Sequence, residues 1–266
     1  NSATEHGIIV VNSPDGNTHA AAEHTVALML SMARNIPDAV ASTKAGNWER
    51  SKFTGVEVFG KTLGVIGFGK IGQHVAHTAL ALGMNLVVND PYTTKEFVEK
   101  FGGKYIENLD DFWALPDFIT LHTPKTPETT HLINEKTIAK MKDGVRIINC
   151  ARGGIIDEEA LKTALESGKV ASCAIDVFED EKNIQGCVLR EFGKNVILTP
   201  HLGASTSEAQ INVALDVAEQ VKNVLSGGDA TSAVNIPSLK PQKLEPVKDY
   251  MSIAENIAQM AAQISK

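Results

Sequence analysis

The chain has 266 residues, enough for one large domain or two smaller ones, and its 43% hydrophobic and 21% charged residues are ordinary for a globular protein. A net charge of −7, with no block of lysine or arginine, speaks against nucleic acid or an anionic membrane surface as a partner. No apolar run approaches the ~20 residues of a membrane span, and no signal-like segment opens the sequence.

In chain order, residues 7–11 (Gly-Ile-Ile-Val-Val) predict a short apolar strand stopped by Asn12-Ser13-Pro14-Asp15-Gly16. Residues 17–43 read as one long helix, apolar around much of its circumference through Ala20, Ala21, Ala22, Val26, Ala27, Leu28, Leu30 and Met32. Such a helix is expected to be buried, within the chain, between domains or between the subunits of a homodimer. Residues 46–60 form a polar loop carrying Trp48, Glu49, Arg50 and Phe53.

The apolar run Leu63 to Ile66 then stops at Gly67-Phe68-Gly69-Lys70-Ile71-Gly72, and a helical pattern follows over about 71–82. In this G-x-G-x-x-G spacing Gly67 allows a sharp turn, Gly69 lets a pyrophosphate approach the backbone, and Gly72 lets the helix pack on the strand. The helix N-terminus offers free N–H groups to phosphate. Strand 85–90 ends in Asp90, 18 residues beyond Gly72, where a carboxylate accepts from ribose hydroxyls and repels a 2′-phosphate. No cation follows at Pro91 or Tyr92, so the pattern predicts NAD over NADP. A turn opened by Asp90 before Pro91 is the plainer alternative.

Beyond it, helix and strand alternate. A short helix near 95–100, a weak strand near Tyr105, a helical turn over 110–115, strand 117–121, helix 135–142, strand 145–149, helix 157–167 capped by Asp157, strand 171–177 and strand 195–199 are predicted in turn. This is the signature of an α/β, doubly wound parallel sheet with helices on both faces. A helix over 206–225, ended by Gly227-Gly228, a proline-bearing linker over 229–249 (Pro237, Pro241, Pro246) and an apolar-periodic helix over 250–264 complete the chain.

In an open parallel sheet ligands bind beyond the carboxyl ends of the strands. The polar residues there are His122-Thr123, Cys150-Ala151-Arg152, Asp176 and Pro200-His201, which should converge on the rim that carries the glycine turn. Hydride transfer between a nicotinamide and an alcohol needs a base, a cation and fixed geometry. His201 suits the first and Arg152 the second. A carboxylate from the run Glu179-Asp180-Glu181 could orient the imidazole, but spacing does not choose among the three. Each has a plainer reading: His201 as a loop histidine, Arg152 as a surface or capping residue, the acids as a solvated loop, His122 as a packed core residue. His19 and His24 stand at i and i+5, His74 and His77 lack a third ligand, and no metal is predicted. Cys150, Cys173 and Cys187, without framework or metal-like spacing, read as small buried residues of a protein of the reducing cytosol.

At these strand ends the chain resembles the D-isomer-specific 2-hydroxyacid dehydrogenases. The matching stretches are Gly67–Gly72, Asn89-Asp90-Pro91, Leu121–Pro124, Asn149–Asp157, Ala174–Glu181 and Thr199–Gln210. The resemblance covers nearly the whole chain to about residue 240 and implies a Rossmann-like NAD-binding domain with an incomplete substrate domain. It places the catalytic arginine at Arg152, the acid at Glu181 and the histidine at His201. Cofactor contacts carry over to Lys70, Ile71, Asp90, Thr123, Cys150, Ala151, Arg152, Asp176 and Gly203, beside Gly67, Gly69 and Gly72, with His122 and His201 on the same rim. Lys182 stands where the family usually has proline.

Asn149–Gly154, His201–Thr206 and Gly46–Arg50 are most similar to the branch that oxidises 3-phosphoglycerate to 3-phosphohydroxypyruvate with NAD in serine synthesis. A hydroxypyruvate or glyoxylate reductase is the neighbouring reading, and an NAD-binding corepressor-type dimerisation scaffold the reading of another class. Measured against the family, residues 1–16 would end a substrate domain and 17–205 would bind NAD. Residues 206–266 would return toward the substrate or a C-terminal domain. The larger first part of the substrate domain would lie upstream. A chain of this extent is expected to bind NAD and to lack the other half of the substrate cleft.

Overall fold

The computed structural model describes residues 2–193, 195–236 and 248–264. The chain divides into two compact units, Asn17–Gln210 and Asn1–Gly16 with Ile211–Lys266. The elements in chain order are α1 (Ser2–Glu5), α2 (Thr18–Ala33), α3 (Ile36–Lys44), β1 (Thr62–Ile66), α4 (Lys70–Ala81), β2 (Asn85–Asn89), α5 (Lys95–Phe101), β3 (Lys104–Tyr105), α6 (Leu109–Phe112), β4 (Phe118–Leu121), α7 (Glu135–Lys140), β5 (Val145–Asn149), α8 (Glu158–Glu166), β6 (Val170–Ile175), β7 (Val196–Leu198), α9 (Ser207–Leu225) and α10 (Lys248–Ile264).

The large unit is built on a seven-stranded sheet of order β3-β2-β1-β4-β5-β6-β7. Every pairing is parallel. Parallel strands need crossovers, and helices placed on both faces bury the sheet on both sides. The central strands are accordingly rich in apolar residues, with Leu63, Val65, Phe118, Ile119, Leu121, Ile147 and Ile148 all fully buried. Two clusters share the load, one led by Phe112, Trp113, Ile133, Ile155 and Leu161, the other by Met29, Met32, Val75, Val88 and Val98. The strand order reverses between β1 and β4, so the crevice beyond their carboxyl ends is where such a sheet binds a ligand.

Two expectations are corrected. The helix over 17–43 is two helices, α2 and α3, because Asn35 adopts a left-handed φ of 53° just before Pro37. Proline lacks the N–H that a continuing helix needs, and Pro37 sits in the first turn of α3, where none is needed, so the chain turns at Asn35 and restarts. Much of the burial of α2 also falls within this chain, where Leu28, Met29, Met32 and Ala33 join the core beside α4. The strand over 7–11 reduces to one antiparallel bridge, Val11 with Ala233, and Ile8, Ile9 and Val10 lie exposed. Within the small unit Val10 O accepts from Val234 N at 2.9 Å, and Asn235 Oδ1 accepts from Val10 N at 2.8 Å. The helix over 206–225 is present as α9, with Gly227 beyond it at φ 83°. The part of the linker at 237–247, with its three prolines, lies outside the described residues.

Helix α8 starts where a cap demands it. Asp157 is extended and its side chain accepts from Ala160 N at 3.0 Å, with Glu158 and Glu159 in the first turn. Asp157→Ala should therefore lower the unfolding free energy by about 1 kcal/mol, read as a shifted urea midpoint at constant slope.

Candidate active site

The glycine turn sits directly after β1. Gly67 has φ 90°, and its N–H donates to Asn89 O of the neighbouring strand at 3.0 Å. On the other side His122 N donates to Ile66 O at 2.8 Å. A Cβ on Gly67 would stand 2.6 Å from His122 O, and one on Gly72 would stand 2.3 Å from Gly67 O. Both positions therefore exclude a side chain for packing reasons. Gly69 is different: a Cβ there would meet no atom within 4 Å. Its bareness leaves open space over the N-terminus of α4, which begins at Lys70 and Ile71.

Asp90 follows β2 and is nearly buried, at 9% exposure. Its Oδ2 accepts from Phe68 N at 2.5 Å and its Oδ1 from Tyr92 N at 2.7 Å. The carboxylate thus closes the turn before Pro91 and braces the glycine turn at once. The Thr123 hydroxyl, beyond β4, is buried and has no hydrogen-bond partner. An orphaned buried hydroxyl on the rim and open space over a helix N-terminus fit the polar groups of a dinucleotide. His122 is partly buried, with Nε2 at 2.9 Å from the Thr120 hydroxyl. Burial pushes its pKa down to about 4, so the ring is neutral at pH 7.

Beyond β5, the Asn149 side chain ties the next loop. Its Oδ1 accepts from Ala151 N at 3.0 Å and its Nδ2 donates to Arg152 O at 3.0 Å. A Cβ on Gly153 would stand 1.7 Å from Phe178 O, so this loop lies against the chain that follows β6. That approach carries the exposed Arg152 onto the rim, where its guanidinium donates to Ala151 O at 2.7 Å. Cys150 is mostly buried; burial, with the Asp176 charge adding to it, pushes its thiol up to about 12.

The three consecutive acids take three different tasks. Glu179 pairs with His131, Oε1 to Nε2 at 2.8 Å. Asp180 caps a short 3-10 turn, accepting from Lys182 N at 3.1 Å and Asn183 N at 3.2 Å. Glu181 alone of the three reaches His201, with its carboxylate 3.1 Å from Nδ1. A carboxylate only accepts, so Nδ1 is the donor of this hydrogen bond and Nε2 is not engaged by Glu181. Lys182 where proline is usual in similar chains also has a local reason, since proline could not supply the N–H that Asp180 receives.

Asp176, fully buried at the end of β6, lies behind His201. Burial alone would raise its pKa. Hydrogen bonds from His24, Thr199, Leu202 N and Gly203 N outweigh that and hold the carboxyl below the usual carboxylate range. The sequence raises His24 only beside His19 as a poor metal pair, and its partner stays hidden because α2 lies far from β6 in the chain and only the packing brings them together. Among the described residues, His24, Cys150 and Asp176 form the one cluster with metal-ligand atom types, all within 4.8 Å of one another. Lys70, Ile71, Thr123, Ala151 and Gly203 thus share a rim with Arg152 and His201, built from the carboxyl ends of β1, β4, β5 and β7.

These features define a dinucleotide-binding α/β domain with a paired imidazole and carboxylate at its crevice. Residues 26–203 match the family model for the NAD-binding domain of D-isomer-specific 2-hydroxyacid dehydrogenases, and the chain belongs to that family. It is 55% identical over 99% of its length to a D-3-phosphoglycerate dehydrogenase of Synechocystis sp., covering 47% of that protein. It is 49% identical over 98% of its length to one of Methanocaldococcus jannaschii, covering 50%. The chain thus spans about half the length of these curated relatives. Among solved structures it is similar to a glyoxylate reductase from Paecilomyes thermophila (TM-score 0.80, 38% identity, 88% of this chain, 70% of that one). It is also similar to a D-lactate dehydrogenase from Aquifex aeolicus solved with NAD and lactic acid (TM-score 0.78, 32% identity, 89% and 76%). NAD is accordingly the cofactor of this domain. None of its described helices is long and apolar enough to cross a membrane.

The lowered pKa of His122 has a consequence for stability. A histidine held low in the folded state stabilises fully above its ordinary value of 6.5 and loses that contribution as pH falls toward about 4. The imidazole resonance of His122 should titrate near pH 4 by NMR, and the urea midpoint should drop between pH 7 and pH 5 by less in His122→Gln than in the parent.

Proposed function

We propose that this chain carries the cofactor-binding and catalytic half of an NAD-dependent dehydrogenase that oxidises D-3-phosphoglycerate to 3-phosphohydroxypyruvate. The observation that carries the reading is the Glu181–His201 pair at 3.1 Å on the rim that also holds Arg152 and the glycine turn. A scaffold that only binds NAD and dimerises has no use for this pair. Support for the substrate comes from the similar proteins of Synechocystis and Methanocaldococcus, which bear that enzyme's name.

In the oxidative direction, the bound NAD supplies an acceptor for the hydride leaving C2 of the hydroxy acid. His201 Nε2 takes the hydroxyl proton in the same step. Glu181 stabilises the imidazolium that results and fixes the ring through Nδ1. Arg152 offers a planar fork of donors to the substrate carboxylate and to the C2 oxygen. Gly67, Gly69 and Gly72, with the first turn of α4 at Lys70 and Ile71, would cradle the pyrophosphate, and Asp90 would accept from the adenosine ribose. Thr123, with its unpaired hydroxyl, and His122, Cys150, Ala151, Asp176 and Gly203 would line the remaining cofactor path.

Residues 1–16 and 206–266 would belong to the substrate side or a further domain of the longer protein, whose other residues complete the cleft. A reducing cytosol is the compartment proposed, in keeping with three free thiols. A homodimer is proposed as well. Its support is the exposure of Ile36 and Val40 on α3 and of Trp48 and Phe59 in the loop before β1, large apolar side chains that a partner would cover. A mass by sedimentation or light scattering decides it.

His201→Ala should lower kcat/KM for 3-phosphoglycerate by about a thousandfold, followed as NADH absorbance in the protein that carries this chain. Unchanged turnover sinks the base assignment. Gly69→Val should weaken NADH binding by about tenfold with an unchanged melting temperature, read by energy transfer from tryptophan. Gly72→Ala, in contrast, should lose folded protein, since its Cβ would strike Gly67 O.

A further inference from the structure

His201 stands on an unusual piece of backbone. Its φ is 55°, in the left-handed region that residues with a Cβ rarely occupy. Its side chain points to Glu181 and does nothing to hold the turn. Asp176 supplies most of the hold, while Thr199 O also accepts from His201 N at 3.0 Å. Asp176 O accepts from His201 N at 2.9 Å, and the Asp176 carboxylate accepts from the next two amides, Leu202 N at 2.8 Å and Gly203 N at 2.9 Å. Three consecutive N–H groups are clamped by a single aspartate.

That clamp works only while the carboxylate keeps its orientation and its charge. Asp176 is fully buried, and a buried carboxylate stays ionised only if its oxygens are supplied with donors. Two side chains supply them at Oδ1, the Thr199 hydroxyl at 2.5 Å and His24 Nε2 at 3.1 Å. His24 Nε2 also lies 3.3 Å from the Thr199 oxygen, so the three groups form one small network. Thr199 belongs to the same strand end as His201, but His24 comes from α2, whose position is fixed independently by its packing on α4 and the sheet. Cys150 closes the cluster, yet Oδ1 already accepts three hydrogen bonds and burial keeps the thiol protonated. The cluster is satisfied by its own protons and needs no cation.

We propose that His24 is a positioning residue for the reaction. By donating from Nε2 to Asp176 it locks the carboxylate that clamps the 201–203 turn, and so aims the His201 imidazole. This rests on the reading of His201 as the base.

The test compares His24→Leu, which fills the space without a donor, with His24→Gln, which keeps an N–H at similar reach. His24→Leu should lower kcat about tenfold while KM for 3-phosphoglycerate and the NADH Kd change by less than about twofold. His24→Gln should recover at least about half of the lost kcat. The amides of Leu202 and Gly203 should exchange about tenfold faster in His24→Leu, with distant core amides unchanged. Should His24→Leu fail to fold, His24→Asn is polar but too short to reach, and it should show the same losses. Wild-type kcat with unchanged exchange at Leu202 and Gly203 overturns the proposal. So does a loss that glutamine does not recover, since the ring's packing would then matter and its N–H would not. His201→Ala is read separately: if it turns over like the parent, the base assignment has failed, and the exchange of the two amides still decides whether His24 holds the turn.

Discussion

A charge buried beside the carboxyl ends of a parallel sheet is the constraint on which this rim depends. Asp176 lies where water does not reach, and an unpaired carboxylate there would cost several kcal/mol. Its oxygens are met by two backbone amides and two side chains drawn from three separate segments. The cost of burying the charge is offset only when α2, the end of β7 and the turn after it are all in place. The charge therefore acts as a registry device. It specifies one arrangement of three segments that apolar packing alone would leave loosely defined.

Close backbone approaches do the rest. Gly67 against His122 O, Gly72 against Gly67 O and Gly153 against Phe178 O each bring main chain to main chain with no side chain between. Polar groups from distant parts of the sequence then stand within hydrogen-bond reach of one another. Asp90 bonds the glycine turn, Asn149 ties the Arg152 loop, and Glu181 meets His201. The site is a product of backbone geometry first and of side-chain identity second.

Most of the seven strands were legible because strands buried on both faces appear as short, largely apolar runs that end at a polar or glycine-bearing turn; the edge pair Lys104–Tyr105 was only a weak signal. The glycine turn was legible for the same reason, together with its spacing to Asp90. Three features were not. The break between α2 and α3 turns on the left-handed Asn35 before Pro37, while the apolar pattern runs on through it. The apolar stretch at 7–11 has the composition of a strand but only one bridge to the chain around 233, since pairing depends on a partner that composition does not reveal. Glu179, Asp180 and Glu181 are equivalent as residues in a row; only folding sends one to His131, one to a turn and one to His201. Resemblance to the family singled out Glu181 where spacing could not. The role of His24 was invisible to both, because its partner is a non-local carboxylate.

The environment of Cys150 carries a consequence for the chemical durability of this crevice. Nucleophilic sulfur is thiolate, and a thiol held near 12 offers almost none at neutral pH. On this rim it is a sulfur atom that an alkylating reagent, which needs the thiolate, does not readily capture. Desolvation, which elsewhere in the crevice disfavours protonation of His122, here gives passivation. A covalent inhibitor aimed at this rim would have to seek a different anchor.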